Sequence, residues 1–304
     1  MNVRVSTGDA DMFLDEFRVW LGQERGLSPE TVRCYGKQGR TFLGQLPRPL
    51  DISVQQLDSG QVVSVVVGYC RDRNTGSAKV MVTALRAFLR FLHVSGHTLT
   101  ALVAAVAAVA GWRLASLPRG LDAAVVARLL ECCDRTTIVG RRDYAMLTML
   151  ARLGLRGAEA TALKLGDIDW RSGEITVHGK GNRVDRLPVP VDVGEAIVAY
   201  LTNGRPTCGM RALFCTVGAP YRPLTAAAVR QVMARACQRA GQQRVGAHRL
   251  RHSLATDMLR AGASLPEVGQ ILRHRSELST AIYAKVDENA LRPLARPWPT
   301  GTRP

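Results

Sequence analysis

Residues 247–259 read AHRLRHSLATDML, and the rest of the chain takes its meaning from this stretch. If a helix starts near His248, then His248, Arg251 and His252 fall at i, i+3 and i+4 on one face. Arg249 adds another cation. Cations near a helix N-terminus oppose the macrodipole by ~0.3–1 kcal/mol each when exposed. The arrangement makes sense if an anion sits there, and phosphate is the natural one. Taken alone, the same residues also fit an ordinary solvated helix face. A metal site fits less well. A metalloprotease helix needs Glu after the first His, where this chain has Arg249, and two arginines between the imidazoles repel a dication.

Three further segments carry chemistry-bearing residues. In RLGLRGAEATALKLGDID (152–169), Arg156 follows a Gly-Leu turn and precedes a short helix carrying Glu159, so the carboxylate can hold the guanidinium as a phosphate fork. In ITVHGKGNRVDRLPV (175–189), two β-prone runs flank a Gly-Lys-Gly-Asn turn, which predicts a hairpin with Lys180 at its tip. The string HGKGNR lacks the G-x-x-x-x-G-K-[ST] spacing of a nucleotide-phosphate loop. In ILRHRSELSTAIYAKVD (271–287), His274 follows an apolar pair and Tyr283 lies nine residues on. Each alone has a bland reading: a surface ion pair, a turn lysine, a core tyrosine.

Around these segments the C-terminal part reads as helices at Arg141 to Leu153, Val193 to Leu201, Thr225 to Ala240, His248 to Ala261 and Leu265 to Leu272, with one more carrying Val125, Val126, Leu129 and Leu130. Gly154 and Gly262 stop helices, and Ser264 with Glu267 forms a capping box. The N-terminal third predicts four helices. The first buries Phe13, Phe17, Trp20 and Leu21. The second opens at Ser28–Pro29, runs through Leu46 and ends at Pro47 and Pro49. The third spans Leu57 to Tyr69. The fourth opens at Ser77 and stacks Leu85, Phe88, Leu89 and Leu92. The apolar run 101–111 is far short of the ~20 residues a membrane span needs and reads as a buried or interdomain segment. RLASLPRGL (113–121) is the expected linker, and the Pro-rich tail 292–304 is expected to be irregular.

The chain has 304 residues, with 41 Lys and Arg against 25 Asp and Glu, a net charge of +16. That length predicts two domains. The charge is spread along the chain, so it favours a wrapped polyanion, nucleic acid above all, over acidic partners or a membrane surface. The cysteines number seven, an odd count without C-x-x-C, which argues against a disulfide framework and a zinc ribbon and fits a reducing cytoplasm. The first twelve residues show no signal-peptide pattern.

In order the residues read Arg156, Lys180, His248, Arg251, His274, Tyr283. This set resembles the tyrosine recombinase (phage integrase) family, and Xer-like site-specific recombinases within it. The family's signature is an Arg in a G-L-R turn, a Lys in a β-hairpin, an H-x-x-R helix, a further His or Trp, and a Tyr nucleophile. GLSPETVRCYGKQGRTFL (26–43) and ALRAFLRFL (84–92) look like the family's helical core-binding domain. The resemblance implies a mainly α fold with a small β-sheet (α+β). A helical, SAM-like core-binding domain would occupy 1–112 and a catalytic domain 118–304. It implies that Tyr283 attacks the scissile phosphate to give a 3′-phosphotyrosine and a free 5′-hydroxyl. Arg156 and Arg251 would grip the phosphate, Lys180 serve as general acid, His248 assist proton transfer, His274 hydrogen-bond the phosphate, and Glu159 orient Arg156. No metal or cofactor is needed, because the covalent bond conserves the phosphodiester energy. The implied partners are double-stranded DNA with inverted-repeat sites, a homotetramer on paired sites, and accessory DNA-bending or directionality proteins, with no membrane. The implied location is cytoplasmic and nucleoid-associated, and the role integration, excision or resolution of mobile or chromosomal DNA.

Two positions depart from the pattern: Gly157, where a bulkier residue is common, and Arg273, where Gly commonly precedes the late His. Arg273 is expected to add positive charge beside the site. Three rivals share parts of this reading. A type IB topoisomerase has the same constellation, but the core-binding-like N-terminus favours a recombinase. A silent DNA-binding protein would not need intact Arg156, Lys180, Arg251 and Tyr283. An RNA-binding protein lacks support, since no RNP-like aromatic motif is visible.

Overall fold

The computed structural model describes residues 8–109, 120–179, 183–274, 280, 282 and 283. Its chain packing forms two compact units, Met1–Trp112 and Arg113–Pro304.

The first unit is all helical: α1 (Gly8–Gln23), α2 (Pro29–Leu43), α3 (Leu50–Gln55), α4 (Ser59–Arg71) and α5 (Thr75–Val94), then a single 3-10 turn at Leu102–Ala105. Phe13, Phe17 and Leu21 of α1 are buried against Phe42 of α2 and Leu85, Phe88, Leu89 and Leu92 of α5. Phe17 and Phe88 meet edge to face, 4.9 Å between centroids, the arrangement the ring quadrupoles favour. Ser28 caps α2 and Pro29 occupies its first turn. Four sequence expectations need correction. The second helix stops at Leu43, because Gly44 caps it and Leu46 already lies beyond it. The segment after Pro49 winds into α3. The third helix opens at Ser59, since Asp58 and Gln61 close a capping box there. The fourth opens at Thr75, where the Asn74 side chain accepts the Ser77 amide at 2.9 Å. The unit therefore has five α-helices among the described residues. Of the apolar run 101–111, Leu102 and Val106 are buried in this unit's core.

The second unit is built on α7 (Ile138–Arg152), whose residues Ala145 to Ala151 are buried without a break. A helical stretch buried on every side belongs at the centre of its layer, and α6 (Ala123–Glu131), α8 (Gly157–Ala162), α9 (Val191–Asn203) and α11 (His248–Arg260) pack on α7. The helix opens earlier than expected, because Thr137 caps it by accepting the Gly140 amide at 3.0 Å. A small antiparallel sheet, order β1-β2-β3, lies beside it: β1 (Ile168–Asp169), β2 (Glu174–Gly179) and β3 (Arg183–Pro188). The hairpin register pairs Glu174 with Pro188 and Gly179 with Arg183, burying Ile175, Val177 and Leu187 while Thr176 and His178 take the other face. The two-residue β1 carries no period and was not foreseen. Helices α10 (Ala226–Arg239) and α12 (Leu265–Ile271) complete the unit. The fold is mainly α with one small sheet. Lys180 and the tip of its turn, the expected linker 113–119 and the tail 292–304 lie outside the described residues.

Candidate active site

Arg156 is set by the turn that ends α7. Gly154 adopts φ +57°, and a Cβ there would stand 2.7 Å from Leu272 Cδ2 and 3.0 Å from Leu254 Cδ2, so the position needs glycine on both counts. Arg156 then caps α8. Its amide donates to Glu159 Oε2 at 2.9 Å and its Nη1 donates to Oε1 at 2.7 Å, while much of the guanidinium stays open to solvent. A carboxylate that holds both the backbone and the fork of one arginine fixes its direction.

Glu159 is buried and has a second cation. Arg273 Nη2 donates to Oε2 at 2.9 Å. Burial alone raises the Glu159 pKa, but the Arg156 amide and guanidinium and the Arg273 charge outweigh it, so the net shift is downward. Arg273 comes to this place through the end of α12. The Arg273 amide bonds to Gln270 O and the His274 amide to Gly269 O, both at 2.9 Å. That is a Schellman ending, and it puts Arg273 at the left-handed position, φ +55°. Glycine normally fills such a position, which explains why a glycine is common before the late His.

Arg251 is fully buried on α11. Its Nη1 donates to Gly154 O and its Nη2 to Leu272 O. Among the described residues, these bonds use two of its five N–H donors. Burial first, then the charges of Arg156 and Arg273, push its pKa down to about 10, so it remains a cation at neutral pH.

Three imidazoles and a phenol line the same pocket. His248 and His252 meet edge to face at 4.3 Å. His274 Nδ1 lies 2.7 Å from Thr280 Oγ1, and its ring is parallel to that of Tyr283 at 6.3 Å. Tyr283 is buried, its hydroxyl 2.6 Å from His252 Nδ1. Burial, with Arg251 pulling the other way, raises the phenol to about 12. His252 is lowered to about 4 by burial and by His248, Arg249 and Arg251. His274 is lowered to about 4 by burial and by Arg251, Arg156, His248 and His252. His248 is lowered by loss of solvent within the cluster and by Arg251 and Arg156. The three rings are therefore neutral at pH 7, and among the described residues the charge of this pocket resides in its arginines and Glu159.

The structure thus brings Arg156, Glu159, His248, Arg251, His274 and Tyr283 together on α8, α11 and the segment following α12. Comparison with known proteins places the chain in a family. Residues 119–290 match the Phage integrase family, and residues 14–96 match its N-terminal SAM-like domain. The chain belongs to the phage integrase family. Members of that family, the tyrosine recombinases, cleave and rejoin DNA. Among relatives, y4rA of Sinorhizobium fredii is 44% identical, over 92% of this chain and 69% of that protein. The tyrosine recombinase XerC of Azotobacter vinelandii is 32% identical, over 92% of this chain and 91% of its own. Among solved structures, the XerH recombinase bound to palindromic difH superposes with a TM-score of 0.70 at 20% identity, covering 92% of this chain and 83% of that one. A lambda integrase dimer on a COC′ core site gives 0.68 at 18%, covering 95% and 97%.

Within this integrase fold, sequence reasoning left two residues out of the site. The helical spacing puts His252 on the correct face, but its partner Tyr283 lies 31 residues away. Arg273 reads in sequence only as added charge, whereas it binds the carboxylate that holds Arg156. Its place two residues past the short helix opened by Ser264 and Glu267 is the available signal. Among the described residues no cluster of three or more His, Cys, Asp or Glu is placed to hold a metal ion, and no helix is long and apolar enough to cross a membrane.

Proposed function

We propose that this chain is a site-specific recombinase that breaks and rejoins duplex DNA through a 3′-phosphotyrosine at Tyr283. The observation that carries the reading is a buried phenol set among Arg251, His252 and His274, in a pocket whose arginines outnumber its one carboxylate. A protonated phenol is a weak nucleophile, and burial, by raising the Tyr283 pKa, keeps it protonated. Arg156 and Arg251 draw charge onto the non-bridging oxygens and stabilise the pentavalent transition state. His274 hydrogen-bonds the phosphate, His248 assists proton transfer, and Glu159 keeps Arg156 aimed. Lys180 protonates the departing O5′. The phosphodiester energy is conserved in the covalent link, so rejoining needs neither nucleotide nor metal.

The helical region 1–112 serves as the core-binding domain and 118–304 as the catalytic domain, both holding duplex DNA mainly through phosphates. The lambda integrase tetramer solved on a Holliday junction supports a tetramer of this chain on paired inverted-repeat sites, acting on nucleoid DNA in the cytoplasm, with DNA-bending or directionality proteins as helpers. The test is covalent trapping. The protein and its Tyr283→Phe variant are incubated with genomic fragments, and protein-linked DNA is recovered under denaturing conditions and sequenced. Adducts at one inverted-repeat site, absent in the variant and leaving free 5′-hydroxyls, are expected. Adducts that persist in the variant overturn the assignment of Tyr283, and scattered adducts favour a topoisomerase.

A further inference from the structure

The recombinase reading supplies an acid for the leaving group and has His248 assist proton transfer, but it names no group in contact with the phenolic hydroxyl whose proton must leave when Tyr283 attacks. We propose that His252 is a catalytic residue whose Nδ1 takes the Tyr283 proton during cleavage and returns it during rejoining. The inference rests on the recombinase reading and deepens it.

Geometry singles out His252. Its Nδ1 is 2.6 Å from the Tyr283 oxygen, a distance at which the O–H donates directly to a ring nitrogen. His274 is less well placed. Its Nδ1 is engaged with Thr280 Oγ1, and its ring lies parallel to the phenol ring at 4° with the centroids 6.3 Å apart. His248 contacts the His252 ring edge to face at 4.3 Å. His252 sits on α11, one residue beyond the buried Arg251.

The step balances. The Tyr283 Oη–P bond forms, the P–O5′ bond breaks, the phenolic proton passes to Nδ1, and O5′ takes a proton from the Lys180 ammonium. In rejoining, O5′ attacks phosphorus and gives its proton back to the Lys180 amine. The Tyr283 oxygen leaves and recovers its proton from the imidazolium of His252. A phenol near 12 does not ionise to an imidazole near 4 in the resting pocket. The transfer therefore accompanies attack: the phenol becomes a strong acid as its oxygen bonds to phosphorus, and the anionic phosphate favours an imidazolium beside it.

The test uses the full chain, nicked suicide duplexes carrying the site recovered by trapping, and His252→Asn. The Asn Oδ1 can accept the tyrosine hydrogen bond but does not take the proton. Single-turnover cleavage is expected to fall about 100-fold or more, rejoining to slow comparably, and duplex affinity to stay within about twofold. The readout that a structural role would not produce is the leaving-group dependence. On a duplex with sulfur in place of the bridging O5′, whose thiolate needs no protonation, Lys180→Ala should regain cleavage while His252→Asn stays slow. Cleavage by His252→Asn within about threefold of the parent, or its recovery on the sulfur substrate, overturns the role of His252 and leaves the recombinase reading standing. Absence of any Tyr283-dependent adduct from the parent protein overturns both.

Discussion

Replacing Arg273 by Ala and by Gly separates two opposed contributions at one position. The side chain is buried and donates to the buried Glu159 at 2.9 Å, with a weaker bond to Ile271 O at 3.2 Å. Losing a charge-assisted bond to a buried carboxylate costs about 1.5–3 kcal/mol. Glu159 keeps Arg156 and its amide, so the lower half of that range applies. Against this stands the backbone. At φ +55° an L-residue other than glycine carries about 1–2 kcal/mol of strain. Arg273→Ala removes the ion pair and keeps the strain, and should destabilise the second unit by about 2 kcal/mol. Arg273→Gly removes both, and should be the more stable variant by about 1 kcal/mol. That order reverses the one seen in helix interiors, where Gly is the worse residue. Urea unfolding gives the free energies, and hydrogen exchange of the buried α7 amides assigns them to this unit. An Ala variant as stable as the Gly variant would refute the strain argument. Two variants as stable as the parent would show that the Arg273–Glu159 pair contributes nothing.

Gly154→Ala combines a left-handed backbone with a Cβ 2.7 Å from Leu272 and should cost about 2–4 kcal/mol, lowering the Tm of the second unit; an unchanged Tm counts against the packing described. Asp143 is fully buried between Arg142 and Arg235, at 2.8 and 3.1 Å, so Asp143→Ala strands a buried guanidinium and should cost about 3–5 kcal/mol, and unfolding within 1 kcal/mol of the parent by the same measure would remove the triad from the account. The pH dependence has a definite sign. His252 and His274 titrate near 4 when folded against an ordinary 6.5, so the unfolded chain binds more protons between these values and stability falls as pH drops through that window. Denaturant titrations from pH 7 to pH 4 should show this slope, shallower in His252→Asn and His274→Asn, and a slope in both variants as steep as the parent's contradicts it.

What was legible in the sequence was what local chemistry decides. Ser28–Pro29 and Ser264 with Glu267 announced helix starts because caps act within one turn. The 3.6-residue apolar period found the buried faces of α1 and α5. Boundaries slipped where two caps competed: Asn74 precedes Ser77 and bonds its amide, so the earlier residue starts the helix. The order of the candidate site residues was readable because each sits in a local motif. The contacts that couple them span long loops, 114 residues for Arg273 to Glu159 and 31 for His252 to Tyr283. Nothing in a one-dimensional pattern specifies such pairings; they follow from the packing of α8, α11 and α12 around Gly154.

That packing leaves the pocket electrostatically unfinished, which is what the proposed chemistry requires. Arg156, Arg251 and Arg273 face one carboxylate, Glu159, while the neighbouring imidazoles are neutral. The described part of the pocket therefore carries an excess of two positive charges, and the lowered pKa of Arg251 registers first its burial and then the repulsion of Arg156 and Arg273. A bound phosphodiester brings one negative charge and the pentavalent state brings a second, so the excess matches the transition state better than the ground state, the condition for catalysis rather than tight binding. Glu159 sets that balance. Without it the site would hold a third uncompensated cation and Arg156 would lose its direction; with a second carboxylate the excess would only equal the charge of the substrate. The buried, doubly held Glu159 is thus as much a part of the charge design as the arginines that would touch phosphate.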